Sequence, residues 1–513
     1  MIRRNDMTRT SNYIFKRFSA MALTMALALT LALAVVFMFA ACTPTSPSNT
    51  PQSNISQNST PELTAEPSPT VTEVPTQPYK GDGSEYVYIM TDERDRRMEE
   101  DIVYFADTYI DPLHGHPLLS DRRTLKEIHN ARAFSYSDTE FENFYDEALK
   151  TEFVRRINEL ILGIPTMSDA EIFIGLEETA AILHDVHSLI SIPLYEVFHL
   201  AVEYLQTDNG NECYITFTEW ETEELLLSRL DAINGIPVPE IIERMRGIIS
   251  YESETFLTYS AYNMLMNCDV LRHIGVMGSE KTAVFTLTDN DGNMYEREVK
   301  AVSADTPWKG IAYYYSGTGA DESDIGIYLI DSNQSVACWY TLLADGKALY
   351  VRFNSCIVDA AIDMLLDEAF AAADEMGVLE KVILDFRKNP GGYTDLYGHF
   401  KDLTRTLGKM DVDTYVLIDN GSISAATAVP AMLKRCLDRV TLVGSPSAQP
   451  THFFYRGLFN LPNSGIYCQC SGYFVDFYPG YEEPALQPDV LIYQTIEDYA
   501  NGIDSVLEYV LAD

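Results

Sequence analysis

VLIDNGSISAATAVPAMLK, residues 416–434, sets a short apolar run, a turn of small residues and a helical pattern in direct succession. Val416, Leu417 and Ile418 read as a buried strand, because branched apolar residues closed by Asp419-Asn420-Gly421 match a strand ending in turn residues. The alanine-rich segment behind them reads as a helix that begins at or just after Ser424. A serine there has its hydroxyl at the positive end of a helix dipole, beside unpaired backbone N–H groups, where an oxyanion is best stabilised. Equally, Ser422 or Ser424 could simply cap the helix, and this stretch alone favours the cap.

Upstream of it, strands alternate with helices. Ala348 to Phe353 reads as a strand, Asp359 to Met376 as a helix and Lys381 to Phe386 as a second strand, which implies a largely parallel sheet with crossover helices. Asp385-Phe-Arg387-Lys-Asn389-Pro-Gly391-Gly392 follows that second strand at once. A glycine pair at the carboxyl end of a sheet strand lets backbone N–H groups face a ligand, although a tight turn before a helix near Asp395 explains the glycines too. Neither G-x-G-x-x-G nor a Walker loop occurs, so nucleotide binding has no support, and no metal or organic cofactor is indicated.

Further upstream the pattern changes to α+β. Leu225 to Ile236 reads as a strand, an Asn234-Gly235 turn and a return, followed by a helix from Val238 to Ile249. A further helix is expected from Glu254 to Ile274, and Asp291-Gly292 turns a hairpin. Ahead of this lie three expected helices, one carrying Met98, Ile102, Phe105 and Tyr109 at helical spacing. The other two are announced by the capping-box patterns Ser137-x-x-Glu140 and Ser168-x-x-Glu171. The third helix runs into LHDVHSLISIP, which holds His184 and His187.

The chain begins with Arg3, Arg4, Arg9, Lys16 and Arg17 and an apolar run from Met21 to Ala41, a secretory signal pattern that is also long enough for an anchor helix. Phe39-Ala40-Ala41-Cys42 resembles a bacterial lipobox, which implies diacylation of Cys42 and a body tethered outside the cytoplasm. Residues 43–80 are rich in Pro, Ser and Thr and cannot bury enough apolar surface to fold. A balance of 36 Lys+Arg against 76 Asp+Glu, net −40, argues against binding nucleic acid or anionic head groups. The seven cysteines after Cys42 are scattered and form no disulfide or zinc pattern, so they read as small buried apolar residues.

Asp385-x-Arg387-x-Asn389-x-Gly391-Gly392, followed by Gly421-Ser-Ile-Ser424-Ala, resembles the tail-specific (C-terminal processing) serine protease family. The resemblance implies a multidomain α/β and α+β chain. Its parts would be a signal peptide at 1–42, a tether at 43–80, a helical N-terminal part at 81–192, a PDZ-like module at 193–305 and a mixed-sheet α/β protease core at 306–513. LDAINGIPV, residues 230–238, is the stretch similar to a PDZ domain. By the same resemblance Ser424 is the nucleophile, and Ala425 with Gly391 or Gly392 supplies the oxyanion hole.

One branch of the family uses a lysine base in the place that Pro450 holds here, which excludes a Ser–Lys dyad, and Thr427 stands where many members have glutamate. The tricorn-like branch uses histidine and glutamate instead. Asp185-Val-His187-Ser188 looks like its D-x-H-[ST] motif, and Tyr481-Glu482-Glu483-Pro-Ala-Leu-Gln-Pro488-Asp489 resembles its terminal E-G-x-G-[VI]-x-P-D pattern. This implies a Ser424, His187, Glu482 triad, with Glu483 as the alternative acid and His452 as the competing base. The expected function is an extracytoplasmic, membrane-anchored serine endopeptidase whose PDZ-like module holds an extended segment or C-terminus of its polypeptide substrate. A pseudoprotease retained for binding is the alternative.

Overall fold

The computed structural model describes residues 92–130, 135–207, 210–310, 312–313, 329–331, 333–357, 360–392 and 396–512. The expected signal sequence, Cys42 and the tether lie outside the described residues. Contacts divide the chain into residues 1–73 and 74–513, and every described residue belongs to the second unit.

The unit starts with α1 (Glu93–Ile110), whose N-cap Asp92 accepts from Arg94 and Asp95 N–H and whose inner face buries Ile102, Phe105 and Tyr109. Strands β1 (Thr124–Asn130) and β2 (Ser135–Glu142) form an antiparallel hairpin, followed by α2 (Glu147–Gly163), α3 (Asp169–Ala181) and β3 (Leu189–Ile190). At α3 the expected capping box is made in full by Ser168 and Glu171. At Ser137 the expectation fails. Ser137 and Glu140 lie inside β2, and the helix starts later, behind Asp146. A capping box satisfies two backbone donors, whereas pairing along the length of β1 satisfies a whole strand, so the sheet wins.

An α+β module follows. It comprises β4 (Glu196–Phe198), β5 (Leu200–Thr207), β6 (Gly210–Thr218), β7 (Arg229–Ile233), β8 (Ile236–Pro237), α4 (Val238–Met245), α5 (Glu254–Met264), α6 (Cys268–His273), β9 (Thr282–Thr288), β10 (Met294–Ser303) and β11 (Ala312–Tyr313). Its sheet runs β11-β6-β7-β9-β10-β4, with β5 on β6 and β8 on β7. The helix expected from Glu254 to Ile274 is two, because Asn267 caps α6 by accepting from Asp269 and Val270 N–H. The Asn234-Gly235 turn forms as expected, with positive φ at both residues.

The core sheet contains β12 (Cys338–Leu343), β13 (Ala348–Phe353), β14 (Lys381–Asp385), β15 (Asp413–Ile418) and β16 (Val440–Gly444), with α7 (Ala360–Met376), α8 (Leu396–Leu407) and α9 (Ala425–Cys436) as crossovers. Strand order is β12-β13-β14-β15-β16-β19, antiparallel only at β12, where β19 is Val490–Leu491. Alternate residues face opposite layers: Val351, Leu384 and Val416 pack under α7, α8 and α9, while Tyr350, Ile383 and Leu417 meet the last helix. Between β16 and β19, β17 (His452–Asn460) and β18 (Tyr467–Asp476) leave the core, and α10 (Ile496–Asn501) and α11 (Ser505–Ala512) close the chain. β17 and β18 join the N-terminal hairpin in a separate sheet, β17-β18-β1-β2, with β3 on β18. Strands from the two ends of the unit thus share one sheet.

Candidate active site

Chain leaves β15 into a turn fixed from two sides. Asp419 Oδ1 accepts from Gly421 N–H at 2.9 Å and from Lys388 N–H at 2.8 Å, and the Ser422 hydroxyl donates to Phe386 O at 2.9 Å. Ser422 is therefore a structural residue. Ser424 is not. Its backbone sits at φ 56, ψ −117, a conformation that costs a non-glycine residue about 1–3 kcal/mol. Although it occupies the N-cap of α9, its side chain makes no capping bond; Oγ lies 3.0 Å from His187 Nε2. The Ser424 N–H is held by Gln449 Oε1 at 2.8 Å. Ala426 donates to Ile423 O, and Thr427 and Ala428 donate to Ser424 O, so Ala425 N–H is the open donor of the first turn among the described residues.

His187 reaches this serine from the other end of the chain. After α3 the backbone reverses through His184, at φ 49, and buries Asp185 completely. Asp185 organises the loop: Oδ1 accepts from His187 N–H at 3.1 Å, and Oδ2 accepts from the Ser188 hydroxyl at 2.6 Å. Oδ2 also meets His116 Nε2 at 3.2 Å, while Leu118 N–H donates to His116 Nδ1 at 3.2 Å, which fixes the tautomer with the proton on Nε2. The Asp185 backbone is tied at both groups to Ser250 Oγ. Burial would raise the Asp185 carboxyl, but His116 and His187 outweigh it and hold it below its ordinary range. Asp185 Oδ1 stands 3.9 Å from His187 Nδ1, within reach of an ion pair. The ring stacks on Phe453 at 5.1 Å, and β3 then pairs with Cys468 and Gln469 of β18.

The third part is the glycine loop. Arg387, buried, forks onto Asp385 at 2.6 Å and onto Asp504 at 2.8 and 2.7 Å, and its carbonyl accepts from Arg352 at 2.6 Å. Asn389 donates to Phe353 O at 2.8 Å and accepts from Gly391 N–H at 2.9 Å. Gly391 has φ 89, and a Cβ there would stand 2.7 Å from Ser424 Cβ and 3.2 Å from Ala425 N. Only glycine lets the loop lie against the serine. Because Gly391 gives its N–H to Asn389, the expected donors still open to a ligand among the described residues are those of Ala425 and Gly392.

Ser424, His187, Ala425 and Gly391 are thus brought together, with Gly392 next in the chain packed on the Cys356 backbone. Ser424 is 7% exposed and His187 3%, so bulk water is shut out of the pair. His452 is not part of it: it opens β17 opposite Asp476. Glu482 and Glu483 are exposed, on the segment between β18 and β19, and line with Pro450 and His452 an adjoining cleft of about 410 Å³. Thr427 spends its hydroxyl on Ser422 O at 2.8 Å, inside the serine turn. His116 and Gln449, which sequence reasoning passed over, hold the His187 loop and the serine backbone. Gln449 is next to Pro450, the departure that the sequence did display.

No family model and no curated protein matches the sequence. Among solved structures, the chain is similar to mature CPAF complexed with lactacystin, at 14% identity and TM-score 0.53, over 82% of this chain and 98% of that one. A second structure of mature CPAF matches at 13% identity and TM-score 0.50, over 82% and 96%. A photosystem II D1 C-terminal processing protease overlaps with 78% of this chain and 94% of its own at 12% identity, but its TM-score of 0.34 is too low to support an argument. At such identities the CPAF likeness shows a shared mixed α/β fold with several sheets, one of them rich in parallel strands.

Proposed function

We propose that the protein is a serine-type peptidase that hydrolyses polypeptides through an acyl-enzyme on Ser424. The observation that carries this is the 3.0 Å approach of His187 Nε2 to a serine hydroxyl that sits in strained backbone at a helix start and does not cap the helix. Ser424 Oγ attacks the scissile carbonyl as His187 Nε2 takes its proton. The oxyanion is received by the N–H groups of Ala425 and Gly392. His187 then protonates the leaving amine, and the ester left on Ser424 is cleaved by water that gives a proton to the same nitrogen.

Asp185 supplies the negative charge that stabilises the imidazolium. The family resemblance puts Glu482 in that role; the 3.9 Å approach to Nδ1 favours Asp185. We further infer, from residues 39–42, a body outside the cytoplasm anchored through lipidated Cys42. The divisions at residues 192 and 305 and the PDZ-like character of the α+β module belong to this reading, supported by the Asn234-Gly235 turn leading into α4.

A fluorophosphonate probe tests the assignment. Wild type is expected to be labelled and Ser424→Ala unlabelled; a well-folded wild type that takes no label would leave a binding lipoprotein. Metabolic labelling with a fatty acid, lost in Cys42→Ala, tests the anchor separately.

A further inference from the structure

The cleft beside the proposed catalytic pair is walled by three acidic side chains, Glu252, Glu482 and Glu483, by the rings of Tyr251, Phe454 and Phe474, and by two histidines, His184 and His452. It is coupled to the site through backbone. Pro450 in its wall follows Gln449, which holds the Ser424 N–H, and Glu252 lies between Ser250, bonded to Asp185, and Ser253, whose hydroxyl donates to Ala448 O. None of the three carboxylates has an ion-pair partner among the described residues. Glu252 Oε2 is shielded from solvent and accepts no hydrogen bond there. Such an oxygen is costly until a donor arrives, and burial with the nearby Asp185 charge pushes the Glu252 carboxyl well above its ordinary value.

Two of the rings already carry a cation of this chain: Arg246 lies 5.3 Å from the Tyr251 ring centre and donates to its hydroxyl at 2.8 Å, and Lys126 lies 5.6 Å from the centre of Phe474. Both cations are ion-paired outside the cleft, Arg246 with Glu243 and Glu254 and Lys126 with Glu142, so neither neutralises the acids of the cleft. The net charge of −40 draws basic polypeptides toward the cleft.

We propose that this cleft receives a lysine or arginine side chain of the polypeptide substrate, and so selects bonds at a fixed distance from a basic residue. The proposal rests on the peptidase reading for its substrate, but its test does not need turnover. Full-length Ser424→Ala is titrated with a fluorescent arginine-containing peptide and with the same peptide carrying norleucine, followed by anisotropy. The arginine peptide is expected to bind about tenfold tighter or better, with a preference that shrinks in high salt. Glu252→Gln is expected to weaken that preference, and Glu252→Gln with Glu483→Gln to abolish it. Equal affinity for the two peptides overturns the proposal, as does a preference unchanged in the double variant. Fluorophosphonate labelling of wild type reports on the peptidase reading independently.

Discussion

Ser422 and Ser424 stand two residues apart in the same turn and do opposite things. Ser422 commits its hydroxyl to Phe386 O and receives the Asp419 N–H, while Ser424 presents Oγ to His187. Asp185→Asn is expected to lower kcat by about 10²–10⁴ while Glu482→Gln lowers it less than about tenfold; the reverse order in steady-state kinetics would return the orienting role to Glu482. Gly391→Ala should cost about 1–3 kcal/mol in thermal unfolding, from positive φ and the encounter with Ser424 Cβ, and at least about 10²-fold in labelling rate. Ser424 and His187 stand out in the sequence as candidates because each sits in a short local pattern. His116 and Gln449 are not readable in their roles, because their partners Asp185 and Ser424 lie 69 and 25 residues away, whereas Asp185 stands in the quoted motif two residues before His187 and only its side-chain contact needed the fold.

At the scale of elements, the placement of His187 depends on a sheet that local patterns do not announce. The buried runs β13 to β16 and their crossover helices are legible, since continuous branched apolar residues have few other uses. Sequence reading assigns no strand to 452–476 and a helix to Ser137; β1 with β2 and β17 with β18 are local hairpins, but the sheet they make is completed only by the pairing of β1 with β18 from the other end of the unit. The short β3 is pinned from α3 as well: Glu177 Oε2 accepts from Ile190 N–H at 2.5 Å. Burial pushes the Glu177 carboxyl up to about 8 from an ordinary 4.5, against the lowering effect of that N–H. A raised folded-state value means that its stabilising contribution is whole below pH 4.5 and is lost as pH rises toward 8. Wild type should therefore lose Tm between about pH 5 and 8, and Glu177→Gln should flatten that decline, gaining up to a few kcal/mol at the alkaline end.

Across the whole molecule the glycine loop is held by the last helix. Asp504, just ahead of α11, takes two hydrogen bonds from Arg387, the residue that fixes the path from β14 to Asn389. Asp504→Ala leaves a buried guanidinium half-paired and is expected to cost about 3–5 kcal/mol in denaturant unfolding, with labelling of Ser424 slowed even where the fold persists. In the proposed mechanism the base stands at residue 187 and the nucleophile at 424, and the clamp on the glycine loop is at 504. A growing chain therefore presents His187 long before Ser424, and both before Asp504 can brace the glycine loop. If Ser424 is the nucleophile, a fragment that stops short of Asp504 lacks the brace on the glycine loop, and synthesis itself would act as a safety catch until Asp504 is in place.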